Sequence, residues 1–72
     1  MKTKDPNESV KRVAIEILNY LRTHPDAEDN LSGIAQWWVR DEVQLVRRAL
    51  SALVTEGKIG QRGNMYYLKR KP

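Results

Sequence analysis

Gln44, Arg48 and Ser51 recur at spacings of four and three residues in the stretch 41–57, with Arg47 on their flank. On a helix that spacing stacks them on one side. A guanidinium donates through a planar fork, an amide both donates and accepts, and a hydroxyl does the same. Such a face is built to meet a partner rather than to react with one. Leu45 and Thr55 fall on the same side. Val43, Val46, Leu50, Leu53 and Val54 fall on the other and are predicted to be its buried face. Asp41 is placed to cap this helix, with Gln44 three residues on completing a capping box. Gly57 ends it by supplying the left-handed conformation.

No reactive constellation accompanies that face. His24 is the single histidine, there is no cysteine, and the carboxylates fall at caps and connectors. The acidic stretch 26–29 lacks the interleaved Asp/Asn, glycine and distal glutamate of a calcium loop. There is no glycine-rich phosphate loop, and 72 residues enclose a large pocket with difficulty. The sequence therefore predicts neither an enzyme nor a metal, cofactor or small-molecule site.

Charge is unevenly spread. The net charge of +4 divides into +2 over residues 1–22, −4 over 23–46 and +6 over 47–72, where seven basic residues stand against Glu56. A small basic protein with such a C-terminal third offers an electrostatic footprint for phosphate. No apolar run approaches the roughly 20 residues of a membrane span. The polar N-terminus is not a secretory signal, and the lack of cysteine fits a cytoplasmic location.

One domain is expected over residues 1–72, with 1–4 and 70–72 as flexible ends. Asp5 as cap, Pro6 at the first helical position and Glu8 at the third start a first helix. Val10, Val13, Ala14, Ile17, Leu18 and Leu21 carry it to Thr23, where His24-Pro25 stops it. Ile15 lies off the apolar stripe. Residues 26–29 read as an acidic connector that favours the positive end of the next helix. Asn30 or Ser32 caps that short helix, in which Leu31, Ile34, Ala35 and Trp38 share a face and Trp37 points elsewhere. One core tryptophan and one half-buried tryptophan are expected. After a turn at 39–40 and the helix at 41–56, residues 58–62 and 65–69 read as strands joined by Gly63-Asn64. Ile59, Tyr66 and Leu68 should face the helices, with Met65 and Tyr67 outward.

This order of helix, helix, turn, helix, hairpin resembles the winged-helix family of helix-turn-helix proteins. The matching residues are Ile34, Ala35 and Trp38; then Val46, Arg47, Arg48, Ala49, Leu50, Leu53, Gly57 and Ile59; then Gly63, Tyr66 and Leu68. The resemblance implies an α+β, mainly α fold, a three-helix winged helix-turn-helix with a short C-terminal β-hairpin wing. It also implies a transcriptional regulator that binds double-stranded DNA with helix 41–56 in the major groove. By position, Gln44, Leu45, Arg47 and Arg48 would touch that groove, and Arg62 would lie near phosphate or the minor groove. Arg48 suits guanine, Gln44 adenine and Leu45 a thymine methyl. Ser51, Lys58, Lys69 and Arg70 suit phosphate.

The alternative is a protein-docking module on the same fold. Glu42 and the acidic connector would offer it a negative face, and Trp37, Ile15 and Tyr67 its apolar contacts. Pairing of two copies through Ile15 or Trp37 is a further option, because one small reading head gives little specificity.

Overall fold

The computed structural model describes residues 6–69. Helix α1 (Pro6–Thr23) is followed by a short strand β1 (Glu28–Asn30). Helix α2 (Leu31–Gly33) runs directly into a π-helical turn (Ile34–Trp38), and α3 (Val43–Thr55) follows. Strands β2 (Ile59–Arg62) and β3 (Met65–Leu68) close the chain. The three strands form one antiparallel sheet in the order β1-β3-β2. The result is an α+β fold, mainly helical. The proposed Asp5 cap lies outside the described residues, as does Arg70.

Each helix buries the stripe its periodicity selects. Val13, Ile17 and Leu21 of α1 meet Val46, Ala49, Leu50 and Leu53 of α3, with Ile34, Ala35 and Ile59 completing the core. Burying a side chain of Leu or Ile size contributes about 1.5–3 kcal/mol, so this cluster holds α3 against α1. Val10, Leu18, Trp38, Tyr66 and Leu68 pack around its rim. Trp38 is half-buried and stacks on Tyr20, with ring centroids 4.5 Å apart, and His24 stacks on Tyr20 at 4.4 Å. Trp37 is 70% exposed, so the expectation of a core tryptophan beside a half-buried one is corrected by one step outward.

The connector 26–29 is the main departure from the sequence reading. Glu28, Asp29 and Asn30 pair with Tyr67, Tyr66 and Met65, making β3 the central strand. These side chains have poor strand propensity; main-chain hydrogen bonding to β3 holds them. Acidic groups on an edge strand also discourage further strand pairing. Asp29 still serves the following helix: its Oδ1 accepts the Asn30 N–H at 2.7 Å. Asn30 then caps α2 as expected, its Oδ1 accepting the Gly33 N–H at 2.9 Å.

The start of α3 also differs. Glu42 occupies the cap position, with no side-chain cap bond, and the helix begins at Val43 rather than after Asp41. The Asp41 carboxylate is diverted: Oδ1 accepts the Glu42 N–H at 2.8 Å and Oδ2 lies 3.4 Å from Arg12 Nη1. The capping box with Gln44 therefore does not form. Val43, at this open first turn, is 47% exposed, and Val54 is only half-buried. Ala49 takes a place in the buried face instead.

Candidate nucleic-acid interface

The buried stripe of α3 leaves Gln44, Arg48, Ser51 and Thr55 exposed along the opposite side, with Arg47 exposed on one flank. Core packing of Val46, Leu50 and Leu53 sets that direction. Leu45 does not join the outward group. It is half-buried and packs against the core, because its position on the helix turns it back from the solvent side. It therefore sits at the edge of the outward side of α3 rather than along its middle. Val43 is the apolar side chain exposed at this end of α3.

Arg47 reaches a groove that the sequence reading missed. The groove lies where the start of α2, the first turns of α3 and the β2–β3 turn meet. Asn30, Ser32, Val43, Arg47, Asn64 and Tyr66 are among its walls. A guanidinium, a hydroxyl and two amides on such walls match the hydrogen-bonding needs of a phosphate oxygen. Ser32 and Asn64 carried a faint signal, a helix start and a turn. Their convergence on Arg47 is a tertiary fact.

The wing is built by its glycines and one tyrosine. Gly63 has φ +63° in the two-residue turn, and Gly57 has φ +76° after α3. Gly60 and Tyr67 are directly paired in the register, and the Tyr67 ring lies across the Gly60 backbone where a methyl group would collide with it. Tyr67 is thus half-buried on the wing's own surface rather than an open contact. Its ring also supports Arg62, whose guanidinium carbon sits 5.0 Å from the ring centre, a cation–π arrangement. Arg62 is exposed at the end of β2 next to the tip, and Lys69 is exposed just beyond β3.

The ion pairs sort these charges. Lys58 is held by Glu56 at 3.6 Å, and Arg12 bridges Glu16 and Asp41, each at 3.4 Å. Among the described residues, Arg47, Arg48 and Lys69 have no carboxylate partner. Glu42 is exposed at the head of α3 and is likewise without a cation among them. Arg40, in the turn before it, is exposed with φ +50°, a conformation uncommon outside glycine and asparagine. Ile15 is 59% exposed on α1, beside Leu53 and Glu56 at the C-terminal end of α3.

The structure thus brings Gln44, Arg47, Arg48 and Ser51 onto one helix, with the wing tip meeting that helix at the groove. Tyr67 lies within the wing under Arg62, and Ile15 lies on α1. Among the described residues, no helix is long and apolar enough to cross a membrane. Residues 10–67 match the family model described as winged helix DNA-binding domain. No curated protein and no solved structure matches the chain.

Proposed function

The chain belongs to the winged helix DNA-binding domain family, and from that premise we propose that it is a transcriptional regulator that sets the exposed side of α3 into the major groove. The observation that carries this reading is the charge state of that side. Arg47 and Arg48 stand free of carboxylates among the described residues, whereas Asp41 and Glu56, near the two ends of α3, each hold a cation. The helix therefore presents its positive charge outward with much of the nearby negative charge already compensated.

In this reading Arg48 pairs with guanine through two hydrogen bonds and Gln44 with adenine. Val43, rather than Leu45, is the apolar group available to a thymine methyl. Arg47 with Ser32 and Asn64, and separately Ser51, Arg62, Lys69 and Arg70, contact phosphate and fix the register. Lys58, engaged by Glu56, contributes less. Titrating labelled duplex DNA at several salt concentrations tests the reading. Binding that falls steeply with salt and prefers a selected sequence to its scrambled version supports it. No binding even at low salt rejects it.

The exposure of Trp37 favours a second reading, a protein-docking module, since tryptophan is enriched at interface hot spots. Recovery from cell extract of one defined protein that is lost with Trp37→Ala supports it. Recovery of nucleic acid alone counts against it.

A further inference from the structure

We propose that the outer side of α1 is the contact surface for a second copy of this chain, the two helices lying antiparallel across Ile15. The inference does not depend on the DNA reading.

Glu8, Ile15 and Arg22 are separated by seven residues each. Seven residues are close to two helical turns, so the three side chains share one side of α1 with a drift of only about 20° per step. Ile15 is the large apolar residue that α1 leaves open, 59% exposed, and both flanking charges are exposed. Beside Ile15 lies a shallow cleft with an apolar floor of Ala14, Leu18 and Leu53, walled by Lys11, Glu56 and Lys58.

The charge pattern identifies the occupant. Among the described residues Glu8 and Arg22 make no ion pair, whereas Arg12 is committed to Glu16 and Asp41, and Lys58 to Glu56. Glu8 and Arg22 each stand about 10.5 Å along the axis from Ile15, on opposite sides of it. A two-fold axis through Ile15 therefore sets Glu8 of each copy opposite Arg22 of the other, giving two opposite-charge pairs. Lys11 of each copy then falls at the level of Asn19 of the other, which carries no charge. Ile15 of each copy meets Ile15 of the other, with the apolar cleft of each copy beside the contact. A parallel arrangement sets glutamate on glutamate and arginine on arginine. The surface is self-complementary in one orientation, as a two-fold contact requires. A single helix pair buries less than the roughly 1,600 Å² of a standard interface, so the association is weak and reversible.

Sedimentation equilibrium of the full chain without DNA, at low salt and high protein concentration, tests it. Glu8→Arg alone and Arg22→Glu alone each place like charges at both ends of the seam. Mixed in equal amounts, the two variants restore two opposite-charge pairs. The wild type should associate to twice the monomer mass. Each variant alone should associate at least about tenfold more weakly, and the mixture should recover wild-type strength. Both substitutions are on exposed helix positions, and circular dichroism should show the helix intact. A monomeric wild type overturns the proposal. So does a mixture no stronger than its components, or single variants that associate as the wild type does.

Discussion

Arg12 and Asp41, 29 residues apart in the chain, meet at 3.4 Å and tie α1 to the turn that leads into α3. The pair is partly open to solvent, so its contribution to stability is small, about 0–1 kcal/mol. Its larger effect is on the field around α3. Arg12→Ala releases a negative charge at the head of the helix without removing any proposed DNA contact. Duplex binding should weaken about two- to fivefold at low salt, with the difference shrinking as salt is added. A binding titration of the variant at two salt concentrations checks this; unchanged affinity at low salt contradicts it.

Glu42 offers the complementary test. It stands exposed at the cap position and bonds no helix N–H through its side chain. Glu42→Gln removes a charge that phosphate would meet and sacrifices no cap bond. DNA affinity should rise about two- to fivefold at low salt, with the melting temperature nearly unchanged. If Glu42 instead reads cytosine through its carboxylate, the variant loses affinity for the preferred sequence, which a competition assay separates.

Arg48 and Lys69 differ in their expected roles. Arg48→Ala should relax discrimination between sequences by about 1–3 kcal/mol, while Lys69→Ala should weaken binding to every duplex alike and lower the salt slope by about one. Parallel titrations on preferred and scrambled DNA read both. Equal losses on the two duplexes for both variants mean that neither side chain reads a base.

Leu50 is fully buried between α1 and α3. Leu50→Ala should cost about 2–5 kcal/mol. A domain of this size has only about 5 kcal/mol to lose, so thermal melting should show the midpoint lowered by at least about 8 °C.

Gly60→Ala probes the wing. The added methyl group collides with the Tyr67 ring, so the ring must move and Arg62 loses its support. Overpacking of this kind costs about 1–3 kcal/mol. NMR shifts at Arg62, Tyr67 and the Gly63 turn should change while those of α1 stay fixed.

These tests fall along the line between what a local reading of the chain reaches and what it misses. The span of α1 follows from its apolar period and the proline after His24, and Gly57 marks the end of α3. Such signals act within a few residues. Asp41 does not cap α3 because its carboxylate is engaged by the Glu42 N–H and by Arg12, the second a contact no local pattern contains. Strand β1 is not legible locally because Glu-Asp-Asn has no strand-like side chains; its pairing is through the main chain to a strand near the other end of the sequence. Val43 and Leu45 exchanged roles for a related reason. The shifted helix start leaves Val43 at an uncovered turn, and the orientation of α3 turns Leu45 back toward the core. The exposure of Gln44, Arg47, Arg48 and Ser51 was legible from spacing, but the groove joining Arg47 to Ser32 and Asn64 required three elements to converge.

Because β3 is flanked on both sides, the hairpin is not a free paddle. Its root is stitched to β1, which leads without a break into α2. Any tilt of the hairpin must drag α2 along, and α2 is seated on the same core as α3. The span from helix to wing tip is therefore a fixed gauge, set when the chain folds. A ligand must conform to that spacing, so altering the width of the target should change affinity more than lengthening it.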